Sequence, residues 1–477
     1  MSKQITVIGT GPGGYVAAIR AAQLGADVTV IERGDVGGTC LNRGCIPSKV
    51  MKATADILEK FGRAREYGIA LEETPRADMK AIMARKQSVI GHQAKGIHQL
   101  LRKHKIRYLE GQATIEKPNL VIVKSEEGND LDVPYDGLIL APGSRPLDIP
   151  SFPFDGKSIL SSDDALSLEK IPESMVIVGG GVIGCEFSFI FSSLGANVTL
   201  IEAMSRILPL PTVDEACSRV LEREMKKRRI NFIVSRSVNT VEYEGKSLRV
   251  TLGPSPFLKT PEEKEKPPLI LETDKVLVCV GRRPNTEGIG LEKIGLELDN
   301  KGWIIADTGM RTNVSDVYAI GDVLGPEKGM LAHTASAEGH IAAENALGKH
   351  ETLDYEVVPS TIFTTPEVAC VGLTTSQALT KGHEARSDSV LFRNIGKAQV
   401  MGDIAGQAKI VSDTQSGKIL GVHMIGAHAT DLIAEATLAL QRGCTVAQLA
   451  DTIHAHPTLS EVMQEAAFKA LDRPLHG

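Results

Sequence analysis

The chain has 477 residues, of which 42% are hydrophobic and 23% charged, so it is long enough for about three domains of ordinary size and excludes a single small one. Its formal net charge of −6 argues against a general nucleic-acid-binding protein, because neutralising phosphates requires a dominant basic surface. No signal-peptide pattern begins the chain, no run of about 18 apolar residues suits a membrane span, and seven cysteines do not make a disulfide scaffold, so we expect a cytoplasmic protein.

The first predicted element is a strand that runs into the pattern G-x-G-x-x-G, and the same unit recurs later in the chain. Residues 5–14 and 176–184 carry this strand and pattern, and each is followed by a helical stretch and a second strand, GADVTVIE or GANVTLIE. The acids that end these second strands, Glu32 and Glu202, each stand 23 residues after the first glycine of their unit. This spacing is that of a βαβ unit, so the sequence predicts an α/β fold with two Rossmann-like dinucleotide-binding domains.

Each part of the repeated unit has its own task in binding a dinucleotide. The first glycine permits a tight turn, the second lets the backbone approach a pyrophosphate at the helix N-terminus, and the third lets helix and strand pack closely. Glu32 and Glu202 can accept hydrogen bonds from ribose hydroxyls, and a carboxylate there would repel a 2′-phosphate. Either copy alone also fits a glycine-rich turn beside a solvated acid, but the repetition favours two dinucleotide sites. The glycines are Gly9, Gly11, Gly14, Gly179, Gly181 and Gly184.

Two cysteines directly follow the first unit, in the segment GGTCLNRGCIPSK. In a regular helix, Cys40 and Cys45 would be separated by about 7.5 Å of rise and would point apart. A disulfide between them needs an irregular turn, which Gly44 permits. Pro47 suits the first turn of a helix, and the positive end of that helix would favour a cysteine thiolate beside it. Two small buried side chains, or half of a metal site, are the alternatives. No second close cysteine pair exists, so a redox-active pair is favoured and no metal site is expected.

The rest of the chain alternates predicted helices and strands. Between the two units we expect a helical stretch over 46–104 and strands at 120–124 and 137–140. After the second unit we expect a helix at 215–228, strands at 231–234, 248–252, 275–281 and 317–321, and an exposed hairpin tip or loop in the charged, proline-rich segment 253–268. The last third is predicted to be a separate α+β domain with helices at 431–442 and 460–471. The expected domains are 1–146, 147–275, 276–346 and 347–477.

A thiol pair that exchanges disulfides needs a base near neutral pH, and histidine is the side chain that titrates there. His456 lies in the segment HAHPTLSE, where Glu461 follows five residues later and can orient the imidazole. From these eight residues alone, a solvated loop pair or a fragment of a metal site is the simpler interpretation. Because 411 residues separate His456 from Cys45, only folding or a partner subunit can bring them together.

Together these residues resemble the dihydrolipoamide dehydrogenase family of class I pyridine nucleotide-disulfide oxidoreductases, which are flavoenzymes. The segments GGTCLNRGCIPSK and HAHPTLSE both match, and the likeness covers essentially the whole chain. It implies an FAD domain, an NAD domain, a central domain that completes the FAD site and a dimer-interface domain, in that order. It also implies FAD and NAD as cofactors, a homodimer, and lipoyl domains of acyltransferase (E2) components as partners, with no nucleic-acid or membrane partner.

The resemblance implies a role for each residue of the redox site. Cys40 would form the mixed disulfide with lipoamide, and Cys45 would pass electrons to the flavin. His456, supplied by the other subunit, would deprotonate the dihydrolipoyl thiol, and Glu461 would orient it. The implied activity is FAD-dependent oxidation of protein-bound dihydrolipoamide to lipoamide with hydride transfer to NAD⁺, as in 2-oxo acid dehydrogenase or glycine cleavage complexes.

The cofactor contacts also follow from the resemblance. Lys49 and Glu186 would form an ion pair near the reactive flavin nitrogen, although from sequence alone each is only a helix charge. The other residues implied for FAD are Gly9, Gly11, Gly14, Glu32, Thr39, Ala113, Gly143, Ser144, Asp322 and Ala332. Those implied for NAD are Gly179, Gly181, Gly184, Glu202, Val238 and Gly281. Pro142 departs from the family, where threonine or alanine is common, and so does the charged segment 253–268.

Three other kinds of protein share part of this pattern. Glutathione reductase-like enzymes use NADPH and carry basic residues where Glu202 stands. Mercuric reductases and large thioredoxin reductases carry an extra redox pair near the C-terminus, where this chain has no cysteine. A flavin-bearing binding or signalling protein without turnover is a reading from a different class, and the cysteine pair with His456 and Glu461 weighs against it.

Overall fold

A computed structural model describes residues 2–124, 130–258 and 267–476 of the chain. Its first sheet is parallel, with the strand order β18-β7-β1-β2-β3. Its inner strands at 4–8 and 137–140 consist mostly of buried apolar residues, as expected where both faces of a sheet are covered. They are β1 (Gln4–Ile8), β2 (Asp27–Glu32), β3 (Arg107–Glu110), β7 (Gly137–Leu140) and β18 (Val317–Ala319).

Four helices belong to this first unit, and the expected helical stretch 46–104 is interrupted. The second of the long helices begins only after Asp78, whose side chain accepts a hydrogen bond from Ala81 N–H and caps it. The helices are α1 (Pro12–Gln23), α2 (Gly38–Arg43), α3 (Cys45–Gly62) and α4 (Met79–Lys103). A small antiparallel sheet extends the unit and consists of β4 (Gln112–Lys117), β5 (Leu120–Lys124) and β6 (Asp130–Pro134). The strands expected at 120–124 and 137–140 are confirmed.

The second sheet repeats the first arrangement, with the order β12-β11-β10-β16-β9. Its strands are β9 (Ile159–Leu160), β10 (Ser174–Val178), β11 (Asn197–Ile201), β12 (Asn231–Ile233) and β16 (Lys275–Val278). The helices of this unit are α5 (Ser162–Ala165), α6 (Val182–Leu194) and α7 (Glu215–Lys227). The helix expected at 215–228 is confirmed. Because β16 pairs with β10, this unit continues past residue 275, where the sequence placed its end.

The charged segment 253–268 joins two antiparallel strands. They belong to a three-stranded sheet of β13 (Arg236–Glu244), β14 (Ser247–Pro254) and β15 (Leu269–Thr273). Leu252 faces Leu269 across the β14–β15 pair, so these two strands are antiparallel neighbours on either side of the charged segment. Residues 259–266 of this segment lie outside the described residues.

The chain then returns to the first unit. A two-stranded ribbon of β8 (Ser144–Pro146) and β17 (Arg282–Pro284) leads back, β18 adds to the free edge of β7, and α8 (Ala332–Ala346) packs against α1. Apolar residues of 289–346 share one hydrophobic core with those of the first unit. The segment 276–346, expected as a domain of its own, therefore completes the core of the first unit.

The last third is an α+β unit, as expected. Its antiparallel sheet has the order β19-β20-β23-β22-β21 and its own hydrophobic core. The strands are β19 (Ser360–Ile362), β20 (Glu367–Gly372), β21 (Ala385–Leu391), β22 (Gln407–Asp413) and β23 (Ile419–Gly426). The helices are α9 (Thr375–Thr380), α10 (Gly396–Met401), α11 (Ala429–Gln441), α12 (Val446–Asp451) and α13 (Glu461–Ala470). Among the described residues, none of the helices has the length and apolar character needed to cross a membrane.

Candidate active site

A cavity of about 650 Å³ opens at the carboxyl ends of the first parallel strands. Ligands bind at this edge in open α/β sheets. The wall brings together both cysteines and the FAD contacts expected from the sequence, although they come from five separate parts of the chain. These residues are Gly9, Gly11, Gly14, Glu32, Thr39, Cys40, Cys45, Lys49, Ala113, Gly143, Ser144, Glu186, Asp322 and Ala332.

The first glycine loop has the shape that a pyrophosphate requires. Gly9 has φ +99°, and a Cβ there would lie 2.2 Å from the Ala141 carbonyl oxygen. A Cβ on Gly14 would lie 2.0 Å from Gly9 O, whereas one on Gly11 would meet nothing within 4 Å. The space beside Gly11 is therefore open, and no side chain caps α1 at this end. Free N–H groups at a helix N-terminus and an open approach fit a dinucleotide phosphate.

The second loop reproduces this geometry at a different place in the fold. Gly179 has φ +106°, and a Cβ on Gly184 would lie 1.9 Å from Gly179 O, while Gly181 again has open space and no side chain caps α6. These three glycines are not part of the cavity wall around the cysteines. The two units thus offer two separate cradles for a dinucleotide.

Glu32 and Glu202 hold equivalent positions beside the two loops. Glu32 accepts hydrogen bonds from Thr10 N–H at 2.8 Å and Gly34 N–H at 3.0 Å. Glu202 accepts from Gly180 N–H and Met204 N–H, each at 2.6 Å. Each carboxylate is therefore fixed at the end of its second strand, next to the glycine loop. Of the other expected NAD contacts, Val238 lies on β13 and packs against the core of the second unit, and Gly281 follows β16 with φ +140°.

The cysteine pair lies where α2 ends and α3 begins. Gly44 separates the two helices with φ −145° and ψ −114°, so the irregular turn expected there is present. The Cys40 thiol donates a hydrogen bond to Cys45, and this bond lowers the pKa of Cys45 to about 7, with the Lys49 ammonium adding to the effect. The same hydrogen bond, with burial, raises the pKa of Cys40. Cys45 is therefore the more acidic thiol of the pair and the first of the two to become a thiolate.

An ion pair expected from the resemblance connects α3 with α6. Lys49 Nζ lies 2.7 Å from Glu186 Oε2, and the ammonium also lies 4.3 Å from the centre of the Phe363 ring. Glu186 Oε1 accepts a hydrogen bond from Phe363 N–H at 2.9 Å. The start of the last unit is thereby tied to the ion pair beside Cys45. Phe363 was not predicted, since nothing in its local sequence indicates this contact.

A second network surrounds Asp322, and sequence reasoning predicted two of its members, Asp322 and Ser144, but missed Arg282, Glu338 and Tyr355. Ser144 Oγ donates to Asp322 at 2.6 Å, and Arg282 Nε donates to Ser144 Oγ at 2.6 Å. Next to it, the buried Glu338 accepts from Gly321 N–H at 2.6 Å and from Tyr355 Oη at 2.7 Å. Burial raises the pKa of Glu338 to about 7. The one available signal was an isolated acid among the small residues of the segment TASAEGHIAA, which is typical of a closely packed helix.

His456 and Glu461 are in contact but not in the cavity. His456 Nδ1 lies 2.9 Å from Glu461 Oε1, and Thr458 N–H donates to the other carboxylate oxygen. Burial raises the pKa of Glu461, but these hydrogen bonds outweigh burial and leave it below its ordinary value. The His456 side chain is 75% exposed and is absent from the cavity wall. The fold of one chain therefore presents the oriented imidazole outward and does not bring it to Cys45.

Two protein-family models match the chain. Residues 3–339 match the pyridine nucleotide-disulphide oxidoreductase model, and residues 358–467 match the dimerisation domain of the same group. The second match contains His456 and Glu461 and supports a homodimer.

Relatives of established description match over nearly the full length. A dihydrolipoyl dehydrogenase of Chlamydia muridarum is 43% identical over 98% of this chain and 97% of its own length. A dihydrolipoyl dehydrogenase of Halobacterium salinarum is 39% identical over 99% of this chain and 97% of its own length. The mitochondrial dihydrolipoyl dehydrogenase of Pisum sativum is 38% identical over 99% of this chain and 92% of its own length.

Solved structures agree with these matches. LpdA from Mycobacterium tuberculosis has a TM-score of 0.89 with 27% identity, covering 98% of this chain and 99% of its own. The flavoprotein disulfide reductase RclA from Escherichia coli has a TM-score of 0.82 at 24% identity, covering 97% and 99%, and shows the shared fold alone. With both family models matched and relatives above 30% identity over almost every residue, this chain belongs to the pyridine nucleotide-disulphide oxidoreductase family.

Proposed function

We propose that the chain is a dihydrolipoyl dehydrogenase that oxidises protein-bound dihydrolipoamide to lipoamide with FAD and NAD as cofactors. The observation that carries this proposal is the position of the hydrogen-bonded thiols of Cys40 and Cys45 in the wall of the cavity that also holds the Gly11 loop. The open space beside Gly11 and Gly181 fits two dinucleotides. When bound, FAD accepts two electrons from the cysteine pair, and NAD⁺ receives them as hydride.

The thiol chemistry follows from the unequal pair. A dihydrolipoyl thiolate attacks Cys40 Sγ of the oxidised pair, so that an S–S bond to Cys40 forms and Cys45 leaves as thiolate. Cys45 is suited to leave because its pKa of about 7 makes it the better leaving group. The second dihydrolipoyl thiol then attacks the lipoyl sulfur of this mixed disulfide and displaces Cys40, closing the lipoamide ring.

Both steps release a proton, and His456 of the partner subunit is the acceptor we propose. Its side chain is exposed on the monomer surface, within the segment that matches the dimerisation domain. Glu461 fixes the ring through Nδ1 and stabilises the imidazolium, which leaves Nε2 for the substrate thiol. A homodimer would complete two such sites.

The second cradle is proposed to bind NAD⁺ in preference to NADP⁺. Glu202 is buried and held by two backbone N–H groups, so its carboxylate cannot turn away from a ribose 2′-phosphate. Repulsion between two anions at this depth disfavours NADP⁺. Val238 and Gly281 are proposed for the adenosine and nicotinamide ends, and Gly179, Gly181 and Gly184 for the pyrophosphate.

The remaining assignments are proposals of the same kind. The partners are lipoyl domains of acyltransferase (E2) components, and the compartment is the cytoplasm, where a reducing environment suits the free cysteines of the chain. We propose domain limits of 1–146, 147–278, 279–346 and 347–477, with the second limit moved to the end of β16. The FAD contacts are those expected residues that line the cavity.

An anaerobic substrate screen tests the proposal. The purified holoenzyme is assayed with dihydrolipoamide, glutathione and mercuric ion as alternative substrates against NAD(H) and NADP(H), with Cys45→Ser as the inactive control. We expect dihydrolipoamide with NAD⁺ to be turned over fastest. Faster turnover of glutathione or mercuric ion would reject the substrate assignment, and a flavin-bearing protein with no turnover would reject the enzyme itself.

A further inference from the structure

Two cysteines that the proposed chemistry does not use meet where the second unit contacts the last one. Cys217 lies in the first turn of α7, Cys370 lies in β20, and their relative exposures are 1% and 2%. Both side chains belong to one buried cluster, and their interaction lowers the pKa of Cys370 and raises that of Cys217. Cys40 and Cys45 stand in the same relationship.

A buried histidine lies directly beside this second pair. His423 on β23 is the cross-strand partner of Cys370 and has a relative exposure of 0%. Its Nε2 donates to Leu373 O at 3.0 Å, and within the described part of the chain its Nδ1 has no hydrogen-bond partner. Burial lowers the pKa of His423, but the neighbouring Cys370 thiol raises it overall. Because Nε2 carries the proton, Nδ1 has a lone pair with which His423 can accept a proton from its cross-strand neighbour Cys370.

Charged groups fix the helix that carries Cys217 over this strand pair. Lys409 on β22 is the cross-strand partner of His423 on the side away from Cys370. Its Nζ lies 2.8 Å from Asp214 Oδ2. The Asp214 side chain caps α7 by accepting from Ala216 N–H, and the Asp214 backbone lowers the pKa of Cys370. The described ranges contain no group of three or more side chains suited to a metal ion, so the cluster is not a metal site. The cluster therefore consists of two buried thiols, Cys217 and Cys370, with the imidazole of His423 as a base.

We propose that Cys217 and Cys370 are a second redox couple, which hydrogen peroxide oxidises to a disulfide that joins the NAD-binding unit to the dimerisation unit. His423 takes the proton of Cys370. The thiolate attacks the peroxide, an S–O bond forms, the O–O bond breaks, and the leaving hydroxide takes the proton back from His423 as water. Cys217 then attacks the sulfenic sulfur, so that the S–S bond forms, the S–O bond breaks, and the hydroxyl leaves as a second water with the Cys217 proton. Two electrons pass from the two thiols to one peroxide.

The test uses the full-length Cys40→Ser/Cys45→Ser double variant, in which the active-site pair cannot respond. The protein is treated with hydrogen peroxide, quenched with catalase, denatured, and its thiols are counted and its peptides mapped without reduction. We expect the loss of two thiols, a linked peptide that contains Cys217 and Cys370, and recovery of both thiols with dithiothreitol. An unchanged thiol count, or Cys370 recovered only as sulfinic or sulfonic acid, overturns the proposal.

Matched variants in the same background identify the residues involved. Cys217→Ser and Cys370→Ser should abolish the linked peptide, whereas Cys444→Ser should leave the two-thiol loss intact. Cys217→Ala, with circular dichroism and size-exclusion chromatography, shows whether folding is retained. His423→Gln should slow disulfide formation at least about tenfold, since it removes the base. Equal thiol loss in all variants overturns the proposal. Because this background has no dihydrolipoamide turnover, failure here is separate from failure of the proposed function.

Discussion

Lys49 Nζ lies 2.7 Å from Glu186 Oε2, so an ion pair joins the helix that carries Cys45 to the first helix of the second βαβ unit. The ammonium lowers the pKa of Cys45, and the carboxylate raises it. The two units that bind the two cofactors therefore set the charge of one thiol together.

Lys49→Met should raise the pKa of Cys45 from about 7 toward the ordinary cysteine value of about 8.5. The hydrogen bond from Cys40 stays, but the attraction of the ammonium for the thiolate is lost. A pH titration of thiolate absorbance in the reduced enzyme measures the change. Lys60→Met, at the exposed end of the same helix, is the control and should leave the titration unchanged. A Cys45 pKa that does not move in Lys49→Met would contradict this account.

Glu186→Gln should shift the same titration in the opposite direction. Removing the carboxylate takes away a negative charge that raises the pKa of Cys45. The glutamine oxygen can still accept from Phe363 N–H, which lies 2.9 Å from Glu186 Oε1, so the contact with the last unit is kept. The readout is again thiolate absorbance against pH. If the pKa of Cys45 rises in both Lys49→Met and Glu186→Gln, the ion pair influences the thiol by holding the helices in place and not by its charges.

Gly181→Ala and Gly184→Ala should have opposite consequences although they lie three residues apart. A Cβ on Gly184 would meet Gly179 O at 1.9 Å, so the variant should be destabilised by about 1–3 kcal/mol. A Cβ on Gly181 would meet nothing in the chain, so stability should hold while the KM for NAD⁺ rises about tenfold or more. Thermal unfolding and steady-state kinetics separate the two effects. A Gly181→Ala enzyme with unchanged KM would remove the second loop from the NAD site.

The glycine loops could be predicted from sequence because their geometry is local. The turn, the helix start and the paired strands of one unit all lie within about 25 residues of sequence. The spacing between the first glycine and the acid, as from Gly179 to Glu202, is therefore enough to identify the unit. The Cys40–Cys45 turn was predictable for the same reason, since Gly44 between them permits the irregular backbone that bringing two cysteines five positions apart together requires. These parts of the site follow from short-range stereochemistry.

Contacts between distant segments could not be predicted in this way. Phe363 reaches Glu186 across 177 positions, and β18 completes the first sheet from a segment that the sequence suggested was a separate domain. No local pattern encodes which sheet edge a returning strand will join. The pairing of the strand at 275–278 with β10 is another contact between distant segments that no local pattern encodes.

Hybrid dimers should show that His456 acts across the subunit interface. His456→Gln alone should lower kcat by about 10²–10⁴-fold, and Cys45→Ser alone should abolish turnover. A dimer with one subunit of each kind has one site with an intact cysteine pair and an intact histidine from the other subunit, so it should regain activity. Co-expression with two affinity tags yields the hybrid, and each homodimer is the control. No recovery in the hybrid would place the base within the same chain.

Glu338 should make stability fall as pH rises toward neutrality. Burial raises its pKa in the folded chain to about 7, above the ordinary value of 4.5, so the folded state holds the proton between these values while the unfolded state has lost it. The stabilisation from protonated Glu338 is full below about 4.5 and is lost as the pH passes about 7. In Glu338→Gln the amide oxygen can accept from Gly321 N–H and the amide nitrogen can donate to Tyr355 Oη, so the variant should flatten this part of the profile.

Thermal unfolding of the wild type and Glu338→Gln from pH 5 to 8 measures this difference. The gap between the two unfolding temperatures should shift in favour of the variant as pH rises, because only the wild type must hold a buried charge above its pKa. Glu327→Gln, at an exposed glutamate nearby, is the control and should follow the wild type at every pH. Parallel profiles for the wild type and Glu338→Gln would mean that the Glu338 carboxyl does not titrate in this range. The network beside Asp322 would then be held by hydrogen bonds that do not depend on pH.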